Sequence, residues 1–156
     1  MEQKQKQPGT LALVLVLAAV LALGVLLAVL LHGRERTLAD ILPAAPDSEL
    51  TFASLRTASE AEEIPLSQEQ MQQLFAEMEQ LHYKKSGMAD GMGLEENYAT
   101  LRYGVEGHLV ELMFSRAQGG CILVNDVEQG GKAPLYRVAA GGDALEALLN
   151  GFRAAQ

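Results

Sequence analysis

YATLRYGVEGHLVELMF, residues 98–114, decides how this chain folds. Ala99, Leu101, Tyr103 and Val105 alternate with Thr100 and Arg102, the period-two pattern of a strand with one buried face. Gly104 to Gly107 reads as a turn. Beyond it Val110, Leu112 and Phe114 alternate with Glu111. Two such runs joined by a short glycine-bearing turn make an antiparallel hairpin.

Working outward, Gly119-Gly120 is a second turn, residues 121–125 a third strand, residues 126–132 another glycine-bearing turn, and residues 135–139 a fourth strand. Successive short turns imply a meander. A helix then opens at Gly141-Gly142-Asp143. Asp143 is read as its cap, Glu146 as the partner three residues on, and Leu145, Leu148, Leu149 and Phe152 as its apolar stripe.

Upstream, residues 86–97 contain three glycines and no periodicity, and read as a long loop. Before it Ser67 and Gln70 stand at capping-box spacing, and Met71, Leu74, Phe75, Met78 and Leu81 recur at helical intervals. His82, Lys84 and Lys85 read as favourable positive charge at that helix's C-terminus. ELTFASL, residues 49–55, alternates as a further strand, and the acidic run that follows reads as a loop with Glu62 and Glu63 solvated. Pro43 and Pro46 mark residues 33–48 as a linker, with one helical turn at Leu38, Ile41 and Leu42. The expectation for residues 49–156 is a two-layer α+β domain: an antiparallel sheet of about five strands, two helices on one face, and a wet opposite face carrying Thr100, Arg102, Glu111 and Arg137.

The start of the chain is of a different kind. LALVLVLAAVLALGVLLAVLL, residues 11–31, has no charged residue. As a helix it spans roughly 31 Å, close to the ~30 Å of a bilayer core, and exceeds the ~7–15 apolar residues of a cleaved signal. Residues 1–9 are therefore expected to be a short basic tail and residues 10–32 a retained transmembrane signal anchor, with the lipid bilayer as partner for 11–31. The lysine and arginine counts on the two sides tie, so orientation rests on the short basic start, which places the larger domain outside the cytoplasm. Ala18/Ala22 and Gly24/Ala28 are pairs through which a homodimer could pack.

The net charge is −8, and the part after the apolar run is more acidic still. Such a surface repels phosphate backbones, so no nucleic-acid partner is expected. The lone cysteine, Cys121, excludes an internal disulfide and any paired-cysteine zinc site. Neither His32, His82 nor His108 has zinc-ligand spacing. Met71 and Met78 fall on a helix stripe and read as core, not as copper ligands. No phosphate loop, nucleophile elbow or H-E-x-x-H is present. The expectation is no catalytic residue, no metal and no cofactor.

A basic start, a span, a proline-containing linker, a capped helix, glycine-punctuated strands and a terminal helix together resemble the layout of uncharacterised single-span extracytoplasmic α+β proteins of Gram-positive bacteria. The resemblance implies a compartment and an architecture, and carries over no site residue. The function expected from the sequence is a membrane-anchored extracytoplasmic binding or protein-interaction domain without catalytic activity, with another membrane or envelope protein as partner. Its candidate surface is Met88, Asp90, Met92 and Tyr98 in and beside the glycine-rich loop, with Arg102, Glu111 and Arg137 on the sheet. The alternatives are a small envelope-associated hydrolase using Cys121 or a carboxylate, and a structural subunit acting through its transmembrane helix.

Overall fold

In the computed structural model, which describes residues 9–43, 49–57, 62–89, 96–105 and 107–155, the hairpin stands where its alternation puts it. β5 (Asn97–Val105) pairs antiparallel with β6 (His108–Ser115), Leu101 opposite Leu112 and Arg102 opposite Glu111. The meander continues through β7 (Cys121–Asp126) and β8 (Ala133–Val138). β2 (Leu50–Thr57) pairs with the other edge of β5.

Three strands lie outside the expected set: β1 (Glu35–Arg36), β3 (Ile64–Pro65) and β4 (Tyr83–Ala89). The sheet therefore has eight antiparallel strands, in the order β1-β4-β8-β7-β6-β5-β2-β3, where about five were expected. β1 and β3 are two residues long, too short for alternation to show. β4 reads YKKSGMA: Tyr83 is its one fully buried side chain, and Lys, Ser and Gly are poor strand formers. Long-range pairing with β8, and not local propensity, holds it.

The chain divides into two compact units, Met1–Arg34 and Glu35–Gln156. The second includes β1 and α2 (Leu38–Ile41), within the stretch read as linker; α2 buries Leu38 and Ile41 in the core. Its other helices are α3 (Gln68–Glu79) and α4 (Gly142–Ala154). α3 starts with the expected capping box: Gln70 N donates to Ser67 Oγ at 3.2 Å, and Ser67 N donates to Gln70 Oε1 at 2.9 Å. α4 starts differently. Its cap is Gly141 in the left-handed region, no side chain caps it, and Asp143 lies inside the first turn.

One register row of the sheet, Leu55–Leu101–Leu112–Val124, and the next, Ala99–Phe114–Ile122–Tyr136, are buried with Met71, Leu74, Met78, Leu145, Leu149 and Phe152 of the helices. The stripes of α3 and α4 thus meet the predicted apolar face of the hairpin. The opposite face is not uniformly wet. Thr100, Met113 and Leu123 occupy one row there and are all buried, with Ala133, Ala89 and Leu135 completing a second, smaller cluster. Met113 stands on that face because it alternates with Leu112 and Phe114.

The first unit holds α1 (Gly9–His32). Its described leucines and valines are 50–67 % exposed. Among the described residues no helix is long and apolar enough to cross a membrane. The transmembrane helix expected at 10–32 is thereby corrected to an apolar helix with exposed side chains.

Candidate functional site

The polar row of the sheet's helix-free face is built by strand register. Ser54 on β2 faces Arg102 on β5, and Arg102 faces Glu111 on β6. Glu63, just before β3, closes the group. Arg102 Nη1 donates to Glu63 Oε1 at 3.1 Å, and Ser54 Oγ donates to Glu63 Oε2 at 2.9 Å. Arg102 Nε lies 3.6 Å from Glu111 Oε1, a charge contact beyond hydrogen-bond length. Arg102 thus lies between two carboxylates with one hydrogen bond, and its Nε is buried without a hydrogen-bond partner among the described residues. The Ser54 hydroxyl and then the Arg102 guanidinium hold the Glu63 carboxyl below its ordinary value, against a smaller opposing effect of burial. Glu63 reads in sequence as one of a solvated acidic pair. Only the pairing of β3 with β2, invisible in a two-residue strand, brings it to Ser54 and Arg102.

The next row on the same face is apolar. Phe52 faces Gly104, Gly104 faces Leu109, and Val127 N donates to Leu109 O at 2.9 Å. Phe52 is 48 % exposed and Val127 37 %. Alternation in residues 49–55 puts Leu50 and Phe52 on one face; the register shift between them separates the two, so Leu50 packs on the core and Phe52 is exposed on the opposite face.

The candidate residues do not converge. Arg102 and Glu111 form the cluster above. Arg137 lies on β8, opposite Lys84 and Cys121, with β7 and β6 between it and β5. Met88 is exposed near the end of β4, whereas Tyr98 is near the start of β5, with β8, β7 and β6 between the two strands. Asp90 and Met92 lie outside the described residues. Tyr98 packs on Phe114 and takes the Arg116 guanidinium over its ring at 5.1 Å.

Cys121 opens β7 and borders a cavity of about 120 Å³ lined also by Tyr98, Arg116, Asp143 and Glu146. Its thiol donates to Ala117 O at 3.3 Å, and burial pushes the thiol's pKa up despite the nearby Arg137 charge. No histidine lines this cavity among the described residues. His108 lies at the far end of the sheet, where its Nδ1 is 3.0 Å from Asp126 Oδ2. Asp126 also accepts from Glu128 N and from Gln129 Nε2, so it organises the β7–β8 turn. With its pKa raised by burial and no described histidine in the cavity, Cys121 is not held as a thiolate. Glu146, expected to serve the α4 cap, instead pairs with Arg116, which raises the guanidinium's pKa. Met71 and Met78 are core residues. Among the described residues no group of three or more His, Cys, Asp or Glu side chains is placed to hold a metal ion.

Compared with protein-family models, with curated proteins and with solved structures, the chain finds no match.

Proposed function

We propose that the Glu35–Gln156 unit is a non-catalytic interaction domain whose binding surface is the helix-free sheet face around Arg102 and Phe52. The observation that carries the reading is the adjacency of two rows: an apolar row, Phe52–Gly104–Leu109, in which Phe52 is exposed, beside a polar row, Ser54–Arg102–Glu111, joined by ion pairs and hydrogen bonds. Interfaces draw most of their energy from a few aromatic and arginine anchors that lose little freedom on binding. Arg102 is already fixed by Glu63 and Glu111, and Phe52 already rests on Gly104.

Site-specific photocrosslinking in cells that make the protein tests this reading. A photoreactive residue at Phe52 is expected to give a discrete protein adduct that disappears when Arg102 is also changed to Ala. The same residue at Gln72 on α3 serves as control. No adduct from position 52, or the same adducts from both positions, overturns the proposal.

A further inference from the structure

The two edges of the sheet are closed to different degrees. β3 covers β2 at Ser54 and Leu55, Leu66 N adds a hydrogen bond to Ala53 O, and Pro65 withholds a donor from the outer rim. At the other end β1 covers β4 only at Tyr83 and Lys84. From Lys85 to Ala89, β4 is paired to β8 on its inner side, with a bulge at Ser86 between Lys85 and Gly87, and no described strand lies on its outer side. A row of main-chain donors and acceptors without a strand partner is a template for one more strand.

This edge is also where cations gather in a chain of net charge −8. Lys84 stands directly opposite Arg137, a like-charge cross-strand pair that costs stability. Arg36 faces Tyr83 and Lys85 faces Tyr136. Since Tyr83 and Val138 are buried beneath the helices, alternation puts Arg36 and Lys85 on the helix side of the edge and Lys84 and Arg137 on the other. Positive charge thus flanks the rim on both faces. Glu35 answers Lys84 at 3.1 Å from β1. Met88, 50 % exposed, adds an apolar contact further along.

We infer that the outer edge of β4 takes up an extended acidic segment of a partner protein as an additional strand. Main-chain hydrogen bonds along Lys85–Ala89 supply the affinity, and Arg36, Lys84, Lys85 and Arg137 select for carboxylates. The charge decides the occupant: a second copy of this chain brings the same cations to the same rim. The surface shares no residue with the Arg102–Phe52 face, so either proposal can fail alone.

The test uses the full chain in a neutral detergent and a fluorescein-labelled Glu-Val-Glu-Val-Glu-Val-Glu peptide, read by anisotropy. Saturable binding is expected, weakened about tenfold or more by Lys84→Gln with Arg137→Gln. Both positions are exposed, and the double variant removes the like-charge pair together with the Lys84–Glu35 ion pair, so its thermal midpoint, measured in parallel, is expected to stay within a few degrees of the parent. The same peptide N-methylated at alternate residues keeps every charge and loses the ability to join a sheet; it is expected not to bind. Equal binding of the methylated peptide overturns the added-strand inference in favour of charge attraction alone. Absence of binding, undiminished binding by the double variant, or self-association through β4 in place of peptide binding overturns it as well.

Discussion

Phe52 lays its ring across Gly104, with no room left between the two strands for another atom. A Cβ at Gly104 would stand 2.7 Å from Phe52 Cε1 and 2.4 Å from Thr51 Oγ1. Gly104→Ala is therefore expected to rotate both side chains away and cost about 1–3 kcal/mol in urea unfolding. Phe52→Ala removes the ring's share of the obstacle and leaves Thr51 Oγ1, so the two changes together should cost less than their sum. Strict additivity would show that the contact is not what keeps residue 104 small.

The capping box at Ser67 is expected to carry measurable stability, since its two reciprocal hydrogen bonds satisfy the first turn of α3. Ser67→Ala should lower stability by ~1 kcal/mol, seen as a lower urea midpoint at constant slope. At α4, where no side chain caps, Asp143→Ala removes a first-turn charge only and should cost less.

Glu63 makes stability depend on acid. Its folded pKa is lowered from an ordinary value of 4.5. Its contribution is therefore complete above that ordinary value and is lost as pH falls through the folded one. The group is 39 % exposed, so solvent screening limits the contribution to a few tenths of a kcal/mol, about 0.5 at most. Glu63→Gln should fall below the parent in stability at neutral pH and converge with it in acid. Carboxyl NMR should show the Glu63 pKa rising when Ser54 is changed to Ala. A titration unmoved by Ser54→Ala would contradict the hydrogen bond as its main cause.

Cys121 should resist iodoacetamide in the folded protein at neutral pH, because the thiol is buried, bonded to Ala117 O and raised in pKa. Labelling should then report opening of the β7 end of the sheet and speed up with urea. Rapid stoichiometric labelling in buffer would place the thiol at the surface instead.

Removing residues 1–34 should leave the thermal midpoint of the remainder within a few degrees of the parent, since the described core cluster begins at Leu38 and the remainder is a compact unit of its own. The same deletion should abolish the self-association or detergent uptake that so much exposed leucine and valine invites. Size-exclusion chromatography with light scattering distinguishes the two forms.

The parts of the fold that sequence made legible share one property: their pattern is dense enough to repeat. β5 and β6 alternate over eight or nine residues, α3 repeats its stripe over three turns, and both are found where expected. β1 and β3 cannot repeat anything in two residues, and β4 buries too little to declare a face. The candidate site failed for the same reason. Arg102 and Glu111 were visible as neighbours across a hairpin, while their third member, Glu63, arrives through β3. Arg137 and Met88 were grouped with them by polarity or by loop composition, which carries no information about strand order. Met113 and Leu109 alternate onto the second face and make it partly apolar beside Thr100, Arg102 and Glu111.

The placement of β4 between β1 and β8 joins an early part of the chain to its last strand, Tyr83 to Val138. While the polypeptide is still being made, β4, and β1 through it, has no place in the larger sheet until β8 leaves the ribosome. Up to that moment the nascent chain holds a bare Lys-rich ribbon and a half-covered set of helix stripes. Stalled or shortened translation products ending before residue 138 would therefore be the forms that quality-control proteases see first.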